Sequence, residues 1–129
     1  MTLMKTNEPS RPALLVQVPV SERDIWGLLT SAFESGSRFW IQSIEQEGPW
    51  PKGAPDRARL PLAGGALRIT TMYENVPPRV LDKAALQRGL ELMARLHPWH
   101  LGDMFRRTAD AGTGDAFLQL CLFGEILFG

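Results

Sequence analysis

The last sixteen residues, GDAFLQLCLFGEILFG, constrain this chain more than any other stretch, because only Asp115, Gln119 and Glu125 among them are polar. A solvated tail cannot carry so much apolar surface, and a run broken at Gln119 and Glu125 falls short of the ~20 residues that cross a bilayer. The stretch must be buried against protein. Thr113 is placed to cap a helix starting at Gly114, Asp115 suits a positive first turn, and Gly124 offers a left-handed stop. A helix of that composition is apolar nearly all round and needs cover on several sides. EILFG then follows as a short extended end.

What provides the cover is read upstream. Residues 1–12 form a polar, proline-containing tail, and ALLVQVPV (13–20) has the composition of a first strand, with Pro19 marking an edge or an end. Ser21 and Asp24 make the pattern S-x-x-D ahead of Ile25, Leu28, Leu29, Ala32 and Phe33, so a helix runs to Gly36. RFWIQSIEQE (38–47) alternates as a strand, residues 48–61 are a Pro/Gly-rich loop, and GGALRITTMY (64–73) returns to β composition. Asp82 caps a second helix through Leu86, Leu90, Met93 and Leu96, which ends at His97-Pro98. The connector WHLGDMFRRTADAGT has room for one helical turn. Strand, helix, two strands, helix, helix predicts an α+β domain: a small antiparallel sheet with helices on one face.

Size agrees with one domain, since 129 residues suffice to bury roughly two thirds of the unfolded surface. Hydrophobic residues are 44% and charged ones 22%, as in globular rather than disordered chains. Fourteen basic residues balance fourteen acidic ones, which removes a general footprint for duplex nucleic acid or an anionic membrane. The single cysteine, Cys121, has no internal disulfide partner, and MTLMKTNEPSRPA lacks the apolar core of a secretion signal; both suit a reducing cytosol.

Few residues offer chemistry. His97, His100 and Asp103 stand three apart and could ligate a metal, but Pro98 breaks the helix that would align them, so exposed or capping histidines are the better reading and no metal is expected. Cys121 sits in too apolar a run to have a lowered thiol pKa and reads as a small core residue. AGG at 63–65 is too short and misplaced for a phosphate loop. The suggestive stretch is FRRTADAGTGD (105–115). Arg106 and Arg107 precede a helix start, where guanidinium and free N–H groups suit a phosphate, and Phe105 or Trp99 could stack on a base. Asp110 and Asp115 oppose an anion there, and an arginine pair is often only a solvated face.

Three stretches, ERDIWGLLTSAFESGSRFWIQSIE, GGALRI and DAFLQLCLFGEILFG, resemble the small bacteriophage proteins of the Thoeris anti-defence family, first type. The terminal pattern Q-x-x-L-F-G-E-x-x-[FY]-G is met by Gln119, Leu122, Phe123, Gly124, Glu125, Phe128 and Gly129, and the likeness covers residues 13–129. The resemblance implies a sponge in the cytoplasm of an infected bacterial host. Such a protein binds cyclic ADP-ribose isomers, with cyclic oligonucleotides as further ligands of some members, and does not cleave them. It implies no cofactor, and a homodimer or larger assembly in which the apolar terminal helix and EILFG would be shared. Sequestration needs affinity and copy number rather than transition-state stabilisation, so no catalytic set is required. One departure is local: the basic residue expected near the middle glycines is absent, with Leu62 and Ala63 before Gly64-Gly65 and Arg68 four residues on. The expected ligand residues are therefore Arg68, Trp99, Phe105, Arg106, Arg107 and Asp115. Two rivals remain: a protein-binding inhibitor using exposed aromatics such as Trp50 and Trp99, and a small hydrolase using His97, His100 or Asp103.

Overall fold

The structure, a computed structural model, describes residues 13–54 and 56–129; the tail expected over residues 1–12 lies outside them. Helix α1 (Glu22–Ser31) starts where Ser21 Oγ accepts the Asp24 N–H and passes into one π-helical turn, Ala32–Gly36. Strands β1 (Ile41–Glu47), β2 (Ala66–Thr71) and β3 (Arg79–Leu81) follow, then α2 (Lys83–Leu96), α3 (Pro98–Phe105) and α4 (Ala111–Phe123). The strands form one antiparallel sheet in the order β1-β2-β3. Leu67, Ile69 and Leu81 are buried on one face of it, and Arg68 and Val80, paired across the strands, lie exposed on the other. This is the α+β arrangement expected.

Three elements differ from expectation. Residues 13–20 join no sheet: 13 and 14 lie in a bend and 15–20 have no regular structure, because β composition does not itself supply a neighbouring strand. The third strand is instead Arg79–Leu81, hidden from sequence reading by Pro77 and Pro78 and by its length of three residues. The connector expected to hold one turn contains the eight-residue α3, whose first residue is Pro98. Proline's fixed φ suits that position as well as it suits the end of α2.

Helix α4 is the centre of the core. Asp110, three residues earlier than the expected cap Thr113, accepts the Thr113 N–H at 2.9 Å, while the Thr113 hydroxyl accepts the Asp110 N–H. From Thr113 to Leu122 every residue except Asp115 is buried. The helix packs against α1, α2, α3, the π-helical turn and β3. Two close approaches make this possible: a side chain at Gly89 of α2 would collide with Cys121, and one at Gly114 would lie 2.6 Å from the Leu28 carbonyl of α1. Burying Phe117, Leu118, Leu120 and Leu122 contributes about 2 kcal/mol each before entropy is charged. Gly124, at φ 76°, ends the helix as expected.

The tail then turns back onto its own chain. Gln119, fully buried, accepts the N–H groups of Leu127 (2.8 Å) and Phe128 (2.9 Å) on its carbonyl. Its amide donates to the Phe128 carbonyl and to Asp115. Phe128 stacks on Trp40 at 5.3 Å and on Tyr73 at 5.0 Å. Helix α4 thus finds its cover within the chain, whereas Ile126 and Leu127 of EILFG, the tail expected to share a subunit interface with it, are 39 and 45% exposed.

Candidate ligand-binding cleft

The six residues expected to hold a ligand do not meet; no hydrogen bond, ion pair or ring contact joins any two of them. Arg68 is on the open face of the sheet beside Glu47, 3.8 Å away. Asp115 points inward, accepting Ser37 Oγ and Trp40 Nε1, each at 2.7 Å, and Gln119. It is occupied as a structural acceptor. Trp99 is exposed on α3, its ring 5.1 Å from His97 and 5.8 Å from His100. Phe105 ends the same helix, half-exposed, and Arg106 folds back to Asp103 at 3.2 Å.

The start of α4 is filled as well. The Asp110 carboxylate lies on the N–H groups that an anion would need, and the Thr113 N–H, then the Thr113 hydroxyl, hold its pKa below the usual carboxylate value. Cys121 is sealed between α2 and α4, and burial pushes its thiol far up, as a core cysteine requires. His97 and His100 have ring centroids 6.2 Å apart, and Asp103 is engaged by Arg106 and Thr108.

Arg107 is the expected residue that leads to a site. Its φ is 64°, the single positive value among described non-glycine residues, and its guanidinium reaches across to Asp24 of α1 at 3.7 Å. That left-handed residue closes α3 in a Schellman turn, the Thr108 N–H donating to the Asp103 carbonyl at 2.8 Å and the Arg107 N–H to the Met104 carbonyl at 3.2 Å. Arg107 lines a cleft of about 290 Å³ with Arg23, Trp26 and Met104. On the other side of Trp26 a second cleft, of about 490 Å³, is lined by Arg23, Trp26, Arg59 and Leu62. Arg23 and Trp26 therefore belong to both.

The local sequence explains this arrangement. Capping at Ser21 sets the phase of α1 so that Ile25, Leu28 and Leu29 face the core, and Arg23, Trp26 and Gly27 fall on the outer flank. The loop between β1 and β2 is tied down by buried Ala54, Ala58 and Leu60 and by Asp56, which accepts the Arg59 N–H at 3.0 Å. With Ala58 and Leu60 pointing in, Arg57 and Arg59 point out over α1. Arg59 stands 4.7 Å above the Trp26 ring and Arg57 5.8 Å from Phe33. A guanidinium on an indole face contributes about 0.5–1 kcal/mol when exposed.

Arg23, Arg59 and Arg107 thus surround one tryptophan, opposed by Glu22 and Asp24. Chemically the cleft can take a planar ring on Trp26 and anionic oxygens on either side of it. Sequence reasoning missed Arg23, Trp26 and Arg59. A signal existed for Trp26, an aromatic outside the apolar stripe of a confidently phased helix; nothing in the spacing linked it to Arg59, thirty-three residues away. Comparison with family models, curated proteins and solved structures finds no match for the chain.

Proposed function

We propose that this chain binds and sequesters a cyclic nucleotide, of the cyclic ADP-ribose isomer class or a cyclic oligonucleotide, at the Trp26 cleft and performs no chemistry on it. The observation that carries this reading is the set of three arginines around Trp26, with Arg59 already seated on the ring face. A diphosphate joined to an adenine is suited by that pairing of guanidinium groups with an aromatic plane. The terminal motif's resemblance to phage anti-defence sponges supports the same ligand class. It gives the binding a setting, counter-defence in the cytoplasm of an infected bacterium. No helix among the described residues is long and apolar enough to cross a membrane.

Calorimetry against a panel of cyclic nucleotides tests the reading. Charge-assisted hydrogen bonds are worth about 1.5–3 kcal/mol, so Arg23→Ala, Arg59→Ala or Arg107→Ala should weaken binding about tenfold to a hundredfold with little change in melting temperature. Heating the complex should release the ligand intact; altered products would favour the hydrolase. If all three variants bind the same nucleotide as tightly as the parent, the ligand is elsewhere.

A further inference from the structure

A glycine inside a helix weakens it, so one is kept where a side chain would collide or where the space serves something else. Among the described residues six glycines lie within helices. A side chain at Gly36, Gly89 or Gly114 would run into the Ala111 carbonyl, Cys121 or the Leu28 carbonyl, and a Cβ at Gly102 or Gly112 would come to 3.1 Å from Arg106 or 3.3 Å from Asp110. Gly27, in the middle of α1, is the exception. A Cβ there would meet nothing within 4 Å, although the backbone is that of the helix around it. Packing gives no reason for this glycine.

Arg23, Gly27 and Ser31 stand four apart and form one ridge of α1, in which Gly27 is the missing side chain. All three line the cleft of about 290 Å³, which Trp26, buried Met104 and Arg107 also line. That volume is close to the lower end of small-molecule sites, ~300 Å³, and leaves room for a single base with its sugar. The larger cleft, with Arg59 and Leu62, shares only Arg23 and Trp26 with it. Charge separates the two. In the smaller cleft Arg107 is paired with Asp24 at 3.7 Å, whereas among the described residues no carboxylate pairs with the Arg23 or Arg59 guanidinium.

We infer that the open space over Gly27 seats the base of the nucleotide, in contact with Trp26 and Met104. This rests on the nucleotide reading above and adds to it the residue that admits the base. A purine needs a surface on which no side chain stands, bordered by aromatic or polarisable groups. Gly27 supplies the first, Trp26 and Met104 the second. The larger cleft, with Arg23 and Arg59, is left for the diphosphate. Stability and binding therefore oppose each other at position 27: any side chain that strengthens α1 also fills the seat.

Adenosine, which carries no phosphate, is the probe, and its binding is followed by NMR at the Trp26 indole N–H, assigned with Trp26→Phe. Gly27→Ala should raise the melting temperature by about 3–5 °C. Adenosine affinity should fall in the same variant, and by about tenfold to a hundredfold in Gly27→Leu, where the side chain overpacks the seat. A wild type that binds no adenosine at millimolar concentration would overturn the inference, and so would a Gly27→Leu chain that binds it as tightly as wild type. A lower melting temperature for Gly27→Ala would overturn it too, since the chain itself would then need the space. The nucleotide reading fails separately: adenosine held over Gly27 with no cyclic nucleotide bound would end sequestration and keep the base seat.

Discussion

Phe117–Leu122 in α4 and Leu14–Val18 ahead of α1 are both strongly apolar runs, and they meet opposite environments. The first is no more than 8% exposed at any residue, while the large apolar side chains of the second are at least 57% exposed. What separates them is the polar chemistry at their edges. Helix α4, which carries the first run, begins at a capping box, holds Asp115 and Gln119 with every side-chain oxygen engaged, and stops at a left-handed glycine. Residues 14–18 have no cap and, among the described residues, no polar side chain with a partner. Apolar content says that a segment must be covered; hydrogen-bonding groups say where.

The hardest way to break this comparison is to place the same charge in both runs. Leu120→Asp buries an unpaired carboxylate in the core, which costs several kcal/mol and should leave the chain unfolded in a thermal melt. A cooperative melt near the wild-type temperature would mean that α4 is not the core. Next in size is Gln119→Leu, which keeps the volume but leaves Leu127 N–H, Phe128 N–H and Asp115 short of partners. Urea unfolding should show a loss of about 2–3 kcal/mol, and limited proteolysis should cut at residues 125–129 first. Unchanged protection of the tail would show that the Phe128 stack alone holds it.

The contrast also explains what could be read from the sequence. Periodicity and caps located α1, α2 and α4 because Ser21, Asp82 and Gly124 act on their immediate neighbours. β1 was legible from alternation and β2 from its β-rich composition. β3 was not, since three residues after two prolines carry no pattern and depend on pairing with Leu67–Ile69. Residues 13–20 read as a strand because their propensity is that of one. Propensity cannot show that the partner strand is missing. Of the site, only Arg107 was foreseen. Arg59 reaches Trp26 through a loop held by Ala54, Ala58 and Leu60, and such tertiary anchoring leaves no trace at fixed spacing.

A smaller effect sharpens the edge chemistry. Asp110→Ala removes the α4 cap and should cost about 1 kcal/mol. The folded-state pKa of Asp110 is depressed, so its contribution is complete above the ordinary carboxylate value and is lost as pH falls through the depressed one. Wild type and variant should therefore differ at neutral pH and converge below about pH 4. A gap that persists in acid would assign the loss to hydrogen bonds that the protonated side chain still accepts rather than to its charge.

The smallest expected effect is in residues 14–18 themselves. Leu15 is 82% exposed and faces no neighbour within its own chain that a truncation could rob. At concentrations low enough for single chains, Leu15→Ser should shift unfolding free energy by no more than about 0.5 kcal/mol, although the same change at a core leucine would cost several times that. A large loss at low concentration would place residues 14–18 against their own chain, and the difference between the two apolar runs would disappear.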